Sequence, residues 1–385
     1  MTKLGSKNAQ VIFVIGWALL LFGILMIGWD NTWSALALPT MTPEFADMRT
    51  VQGALLSLSD GFNPQIKNPG DPWDRQMNYP SAWISIAKTL SLQHEANYLV
   101  FVCVMLFLFL GCCFLLVKEH PSVTLLLMCF SGATLLAVER GNNDILIFVL
   151  LYVASLLPSI GYRIAIFVAI LLKIYPIVAI PAYTRSFRDI AVMIIIVLVA
   201  GMILLPEISE IRYGIPVSAS FSYGLRSILV TASQIAHAFE INSVSASIAA
   251  FGVSAMLISL SFAIVSIPKL KKRLLTTSAS PMERQLFLIG GCVYVGTFIL
   301  SSNWDYRLIF LLFCVPYVTR LDDSFFRFGL CLLLICALNY ISLHAALGFI
   351  GIGINILSKI ILFIIFAAMI YLEFRYKLLK IYSDR

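Results

Sequence analysis

Long apolar stretches joined by short polar turns make up most of this chain. Windows long enough to cross about 30 Å of hydrocarbon predict ten membrane spans. They lie near 11–29, 98–117, 121–138, 144–157, 190–205, 243–267, 286–301, 308–319, 327–345 and 355–372. The pattern therefore predicts an all-α fold, a polytopic integral membrane helical bundle that forms a single transmembrane domain over 1–385.

A further apolar stretch, 164–183, is interrupted near its centre by Lys173-Ile174-Tyr175-Pro176. If it crossed once, the basic segment 269–273 would lie on the side opposite to the amino terminus. Two short helices of about ten residues, each too short to span, keep most Lys and Arg residues on the cytoplasmic side instead. We therefore predict a re-entrant helical hairpin over 164–183 beside about ten full spans, with both termini in the cytoplasm.

The longest stretch that is not apolar, 30–97, is predicted to be an extracytoplasmic first loop. Within it, apolar residues recur at helical spacing over 44–58, which predicts an amphipathic helix on the membrane surface. A second extracytoplasmic loop is predicted over 206–242. The polar clusters 139–144 and 301–307 fall on this same side of the membrane in the predicted topology.

Composition narrows the class of protein. The chain is 60% hydrophobic and 12% charged, against about 25% charged residues in soluble domains, so we expect a multi-pass protein of the inner (plasma) membrane in contact with membrane lipids. The net charge of +7 follows from the basic cytoplasmic loops and predicts no nucleic-acid partner. All eight cysteines fall in apolar runs and the four histidines are scattered, so we expect no disulfide, no metal and no cofactor.

Four polar groups stand out, and each has a structural reading beside a functional one. Asp47 lies in the first turn of the predicted surface helix, where a carboxylate also complements the helix dipole. Lys173 lies within an apolar window, where an ammonium is costly and marks a functional candidate, although it can also extend to a headgroup. The clusters 139–144 and 303–307 suit a polyhydroxylated or phosphorylated ligand, but also a tight turn and an interfacial anchor.

Seven short motifs occur in an order that resembles a known family. They are FADMR at 45–49, GFNP at 61–64, DPW at 71–73, NYP at 78–80, ERGNND at 139–144, LKIYP at 172–176 and NWDYR at 303–307. This order resembles the GT-C superfamily of polytopic glycosyltransferases, and within it glycosyltransferase family 87, the polyprenol-phosphate-mannose-dependent mannosyltransferases. Ser81 and Arg49 depart from that pattern, since the family usually has a second proline and an aromatic residue there.

The resemblance implies a hexosyltransferase that acts in an extracytoplasmic cavity, in cell-envelope polysaccharide biosynthesis. Its partners would be a polyprenyl-phosphate-linked sugar donor and a lipid or glycan acceptor. By position the catalytic residue is Asp47, which would act as general base with inversion at the anomeric carbon. We expect Lys173, Arg307 and Arg140 to bind the donor phosphate. We expect the sugar or acceptor to be contacted by Asn78, Tyr79, Asn142, Asp144, Tyr175, Asn303 and Asp305.

Two other classes of function remain open at this point. A lipid-linked oligosaccharide polymerase, ligase or flippase predicts a later outer loop rich in Arg and His, whereas 206–242 holds only Arg212, Arg226 and His237. A secondary transporter predicts two similar halves with broken helices near the membrane midplane, and the chain shows no internal repeat. No phosphate-cradling Gly-rich loop is present either, which argues against a soluble nucleotide-binding domain.

Overall fold

The computed structural model describes residues 4–184, 186–214, 221–228, 243–276, 278–300 and 303–383. About 78% of the structure is helical and almost none of it is strand, which confirms the predicted all-α class. The predicted second loop, 206–242, lies partly outside the described residues, since 215–220 and 229–242 are not among them.

The first half of the chain forms helices separated by short turns. In order these are α1 Ser6–Ile27, α2 Trp29–Ala35, α3 Ala46–Ser59, α4 Ala82–Thr89, α5 Glu95–Glu119, α6 Val123–Cys129, α7 Gly132–Glu139, α8 Asp144–Leu156, α9 Ser159–Leu172, the 3-10 helix η1 Tyr175–Ala179 and α10 Ile180–Tyr183.

The second half adds the longest helices and one small ladder. The elements are α11 Phe187–Leu204, η2 Leu205–Glu207, α12 Ile208–Gly214, β1 Ser222–Tyr223, α13 Ser243–Ser266, α14 Pro268–Leu274, α15 Pro281–Leu300, β2 Asn303–Trp304, η3 Asp305–Cys314, α16 Val315–Val318, α17 Ser324–Leu338 and α18 Tyr340–Ser383. β1 and β2 pair antiparallel, with Ser222 opposite Trp304.

Within the described residues, five helices are long and apolar enough to cross a membrane: Ser6–Ile27, Glu95–Glu119, Phe187–Ile211, Pro281–Leu300 and Tyr340–Leu379. Their outer faces are apolar as well, and on α1 the side chains of Phe22 and Leu25 are 59% and 74% exposed. A soluble monomer rarely exposes so much continuous apolar surface. These helices indicate a membrane-associated protein, while the number of spans stays a prediction.

Several windows that look continuous in the sequence are broken in the structure. The window 121–138 becomes α6 and α7, because the Ser131 hydroxyl accepts a hydrogen bond from the Thr134 amide (3.3 Å) and starts a new helix. The window 327–345 breaks at Asn339, whose side chain accepts from the Gly132 amide (3.2 Å). Helix α8 has 13 residues and is therefore only about 20 Å long.

The chain reverses direction around Lys173. Helix α9 ends at Leu172, Lys173 is extended (φ −151°, ψ 136°), and η1 and α10 lead back. The rings of Tyr162 and Tyr183 stack with centroids 5.8 Å apart, so the two ends of the segment meet. The first helix of this segment begins at Ser159, five residues before the start of the predicted hairpin. The placement of the segment as a re-entrant hairpin in a membrane stays a prediction.

The predicted amphipathic helix exists as α3, but its surroundings differ from the prediction. Arg49, Thr50 and Gln52 are buried along with its apolar residues. A Cβ on Gly53 would lie 2.5 Å from the backbone nitrogen of Asp71, so the rest of the loop packs directly against the helix. One side of the helix is therefore enclosed by protein, whereas Leu56 and Leu58 near its carboxyl end are 40% and 43% exposed. Its placement on a membrane surface stays a prediction.

The buried centre is the contact between α15 and η3. A Cβ on Gly290 would lie 2.3 Å from the Phe310 carbonyl oxygen, so only glycine permits this approach. Phe313 of η3 stacks on Phe148 with ring centroids 4.1 Å apart. Because runs of 3-10 helix longer than three or four residues are uncommon, this packing explains how ten residues of it persist and why the start of η3 is held firmly.

Polar contacts mark two opposite ends of the bundle. On α15, Glu283 and Thr297 lie 14 residues apart, about 21 Å along the axis. Thr297 accepts from Asn303 (2.7 Å), whereas Glu283 pairs with Arg320 (3.0 Å). We call the end of Thr297 the site end and the end of Glu283 the basal end. Three other helices also have a polar contact near each end. At the site end these involve Glu95 of α5, Glu207 of η2 and Lys359 of α18; at the basal end they involve His120 just after α5, Asp189 of α11 and Glu373 of α18.

Candidate active site

Two turns interlock at the site end and fix the start of α3. The amide of Asp47 donates to the Arg140 carbonyl oxygen (2.9 Å), and the amide of Met41 donates to Glu139 Oε1 (3.0 Å). Gly141 has a φ of +53°, and a Cβ there would lie only 2.8 Å from Phe45 Cβ. The turn at 139–144 therefore needs glycine at this position to hold Asp47 in place.

Asp47 presents a carboxylate that is buried but still reachable. Its side chain is 14% exposed, and Arg75 Nη1 lies 3.6 Å from Oδ1. The Asn142 amide donates to Oδ2. Burial raises the pKa of Asp47 above its ordinary value, and the Asn142 hydrogen bond with the nearby charges of Arg75, Arg140 and Lys173 offsets only part of that rise. Asp47 therefore holds a proton more readily than an exposed aspartate.

Asp144 lies at the centre of the cluster and is fully buried. Its Oδ1 accepts from Lys173 Nζ and from the Tyr175 hydroxyl (2.9 Å), and its Oδ2 accepts from Arg307 Nε (3.0 Å). Lys173 comes from the break after α9, and Arg307 comes from the first turn of η3. One carboxylate therefore gathers two cations that lie 134 positions apart in the sequence.

The two cations are also set against aromatic rings. The Arg307 guanidinium lies 4.4 Å from the centre of the Tyr175 ring, and Lys173 Nζ lies 5.1 Å from that of Tyr79. Arg307 also donates to the Asn303 side-chain oxygen. Its side chain is 17% exposed, so a ligand can reach it from the surface, whereas Lys173 is held deeper.

Asn142 links the carboxylate of Asp47 to the cation pair. Its side-chain nitrogen donates to Asp47, and its side-chain oxygen accepts from the Asp144 amide (2.8 Å). The structure thus brings together eight of the eleven residues singled out from the sequence: Asp47, Tyr79, Asn142, Asp144, Lys173, Tyr175, Asn303 and Arg307.

Of the other three candidates, two have different surroundings. The Arg140 side chain pairs with Glu139 (3.0 Å) and donates to the Pro39 carbonyl oxygen (3.2 Å), while its backbone supports Asp47. Both oxygens of Asp305 accept from Lys359, at 2.7 and 2.9 Å, so this carboxylate is already occupied by an ion pair. Asn78 directly precedes Tyr79 in the chain.

Arg75 is a part of the cluster that the sequence reasoning missed. It forms two hydrogen bonds with Asp71 (3.0 and 2.8 Å), donates to the Ala46 carbonyl oxygen (2.5 Å) and lies 4.6 Å from the centre of the Trp73 ring. The spacing of Asp71 and Arg75 in DPWDR was the available signal, because residues four apart in a tight turn can pair.

Asn143 is the second residue that was missed. It is fully buried, and neither polar atom of its side chain has a hydrogen-bond partner among the described residues. A buried amide without partners is costly, so Asn143 places an unsatisfied polar group between Asn142 and Asp144, next to the cluster. As for metals, the part of the chain that the structure describes contains no group of three His, Cys, Asp or Glu side chains arranged to bind one.

The fold and this cluster define the chain as a helical, membrane-associated protein with a charged polar site at one end of its apolar bundle. Comparison with known protein families, with curated proteins and with solved structures finds no match to the chain.

Proposed function

We propose that this protein is an integral-membrane glycosyltransferase of GT-C architecture. It moves a sugar, a hexose such as mannose, from a polyprenyl-phosphate donor to a lipid or glycan acceptor on the extracytoplasmic face. The observation that carries the proposal is that two features lie together at one end of an apolar bundle. The first is a partly exposed carboxylate, and the second is a pair of cations that share another, buried carboxylate. Asp47 supplies the first, and Lys173 and Arg307 supply the cations.

Asp47 acts as the general base. The acceptor hydroxyl attacks the anomeric carbon, and Asp47 takes the hydroxyl proton as the new glycosidic bond forms. Its position suits this step, because the interlocked turns fix the backbone while 14% of the side chain stays exposed. A single base with direct displacement inverts the configuration at the anomeric carbon.

Lys173 and Arg307 bind the leaving group. The bond between the anomeric carbon and the phosphate oxygen breaks, and the phosphate keeps the electron pair. Fixed cations stabilise that developing charge most strongly where little water competes. Lys173 is buried and Arg307 is mostly buried, and a guanidinium is well shaped to bind two phosphate oxygens at once.

The aromatic and amide groups around the cations suit a sugar. Tyr79 and Tyr175 face the cations, and Tyr306 is half-buried and stacks on Trp304 with ring centroids 6.4 Å apart. Flat rings of this kind pack against the apolar faces of hexoses. The buried amide of Asn143 adds polar atoms that no described residue satisfies.

The charge distribution supports an extracytoplasmic site end. At the basal end, Lys269 and Lys271 of α14 and Arg375 of α18 are exposed, and Arg273 of α14 pairs with Asp323 (3.1 Å). Cytoplasmic segments carry an excess of Lys and Arg, so the basal end faces the cytoplasm and the cluster around Asp47 faces the opposite side.

The test is sugar transfer by the full chain in vesicles, with radiolabelled polyprenyl-phosphate sugars and a panel of lipid and glycan acceptors. We expect Asp47→Asn to lower the transfer rate by about 10²- to 10⁴-fold, the usual contribution of a general base. Asp60→Asn is the matched control, because Asp60 is an exposed carboxylate just beyond the end of α3 and should leave the rate unchanged.

Three results would contradict the proposal. Sugar transfer by Asp47→Asn at the wild-type rate would show that Asp47 is not the general base. A product with retained anomeric configuration would exclude direct displacement. A wild-type protein that moves a lipid-linked sugar across the bilayer without consuming any donor would instead be a flippase or a transporter.

A further inference from the structure

The charges around Asp144 are unequal in number. Its two oxygens accept from two cations, Lys173 and Arg307, and from the uncharged hydroxyl of Tyr175. Among the described residues these are the charged groups in contact with Asp144, so the set of Lys173, Arg307 and Asp144, here called the anion pocket, carries one surplus positive charge.

Among the described residues, no further charged group forms an ion pair with Lys173, Arg307 or Asp144. Arg75 is committed to Asp71 at 2.8 Å, and Arg140 to Glu139 at 3.0 Å. Asp47 lies near enough to Lys173 for the two charges to interact, but its ion-pair contact is with Arg75 (3.6 Å). The surplus positive charge is therefore local to the anion pocket, and its size depends on the negative charge of Asp144. The Asp144 side chain is held in place, because it is fully buried and its backbone amide donates to the side-chain oxygen of Asn142 (2.8 Å).

We propose that Asp144 is a fixed internal counter-ion which limits the anion pocket to one positive charge, and so selects a donor whose phosphate is a singly charged diester over one that carries a diphosphate. This inference rests on the proposed function, and it gives Asp144 a role different from the sugar contact expected from the sequence. Asp144 would then set the specificity for the sugar donor. It does so without binding the phosphate, because its carboxylate accepts hydrogen bonds from the cations and has no N–H or O–H group to donate.

The physical reason is the distance dependence of charge interactions. A second phosphate brings an extra negative charge close to the Asp144 carboxylate, and the repulsion is screened far less in a buried site than in water. The first negative charge is matched by the surplus positive charge of the pocket. The second has no partner left, because the nearby arginines are held by Asp71 and Glu139.

The experiment measures binding, so that it does not depend on catalysis. Two probes carry the same short prenyl chain and the same hexose, one joined through a phosphodiester and the other through a diphosphate. Each competes with a radiolabelled diester probe for the full-length protein in nanodiscs. We expect the wild type to prefer the diester, and Asp144→Asn to shift the ratio of the two affinities toward the diphosphate by at least about tenfold.

A second variant moves the charge in the opposite direction and keeps the test open if Asp144→Asn does not fold. Lys173→Met lowers the surplus of the pocket to zero, so it should weaken both probes and weaken the diphosphate more. Asp305→Asn is the matched control, since Asp305 is a buried carboxylate at the same end of the bundle that pairs with Lys359 outside the pocket. It should leave the ratio of affinities unchanged.

The outcomes separate this inference from the proposed function. Both probes could bind with the same ratio of diester to diphosphate affinity in the wild type and in the variants Asp144→Asn and Lys173→Met. That result overturns the counter-ion role of Asp144, while the proposed donor class stands. A wild-type preference for the diphosphate overturns it as well. If neither probe binds the wild type, the proposed donor class fails, and the inference fails with it.

Discussion

Two buried polar clusters lie at opposite ends of α15, and they are built on different principles. The basal cluster comprises Glu283 with His120 and Arg320, and Glu373 with Arg284 and Tyr317. The site cluster comprises Asp47, Asn142, Asp144, Lys173, Tyr175 and Arg307. Both contain buried carboxylates, so a buried carboxylate alone does not distinguish them. The basal arginines Arg284 and Arg320 are 20% and 45% exposed.

The basal cluster is balanced. Both oxygens of Glu373 accept from Arg284, at 2.5 and 2.7 Å. Glu283 accepts from Arg320 (3.0 Å) and from the Ser280 amide (2.7 Å). Each carboxylate therefore has its own guanidinium, and the pairs tie α15, α18 and the turn before α17 together. Such one-to-one pairing is what a structural tie requires.

The site cluster is unbalanced in two ways. Two cations share Asp144, which leaves positive charge for a ligand. Asp47 has only a longer approach to an arginine, 3.6 Å from Arg75, and that arginine is already held by Asp71. The lesson is that a functional site is recognised by charge left uncompensated in a fixed geometry, whereas full compensation indicates architecture.

The strongest way to test the comparison is to break the basal cluster. We expect Glu373→Gln to destabilise the protein by about 2 to 4 kcal/mol, because it leaves the Arg284 charge, which is only 20% exposed, without a counter-charge. The apparent melting temperature in detergent should fall by about 5 to 10 °C. The fraction that remains folded should keep its preference between donor probes, since Glu373 lies at the other end of the bundle.

The control for this variant is Arg375→Gln, two residues along the same helix on an exposed position. It should leave the melting temperature nearly unchanged. If Glu373→Gln instead abolished sugar transfer without lowering the melting temperature, the basal cluster would be functional and the contrast between the two ends would be wrong.

The same contrast explains which parts of the fold could be predicted from the sequence. Helices such as α5 and α15 could be predicted because hydrocarbon requires an unbroken apolar run of a certain length. The breaks at Ser131 and Asn339 could not, because each depends on a side-chain hydrogen bond that favours a new helix start over continuation. The break at Lys173 could be predicted, since a charged residue and a proline together interrupt an apolar window.

The candidate site shows the same limit. Polar residues within or beside apolar windows marked Lys173, Asp144 and Arg307, because burying such groups is costly without a reason. Their pairing could not be predicted, since it depends on how α8, α9 and η3 pack. Asp305 looked equivalent to Asn303 in the sequence, yet the structure pairs it with Lys359, 54 residues away.

A smaller effect is expected from the contact between the two interlocked turns. Gly141→Ala adds a methyl group 2.8 Å from Phe45 Cβ at a φ of +53°, and a left-handed conformation costs a non-glycine residue about 1 to 2 kcal/mol. Moving the turn shifts the Arg140 carbonyl oxygen and hence Asp47. We expect sugar transfer to fall by about tenfold or more, with a drop in melting temperature smaller than that of Glu373→Gln.

The matched control is Gly61→Ala, which separates backbone strain from the contact. Gly61 has a φ of +81°, but nothing lies within 4 Å of a Cβ there. It should cost a similar amount of stability and leave the transfer rate unchanged. Equal rates for the two alanine variants would show that the position of Asp47 does not depend on Gly141.

The smallest and most specific effect concerns the charge that faces Asp47. The base must be ionised, so transfer declines as the pH falls through the pKa of Asp47, which burial raises above its ordinary value. Arg75 lowers that pKa, because a nearby positive charge favours the carboxylate. Replacing it in Arg75→Gln should therefore move the acidic limb of the pH–rate profile to higher pH. Arg75→Lys, which keeps the charge, should shift the limb less, and Lys67→Gln removes a loop charge away from Asp47 as a control.

An unchanged limb in Arg75→Gln would mean that the ionisation of Asp47 does not govern the rate, and the imbalance at the site end would then have to be explained by the anion pocket alone.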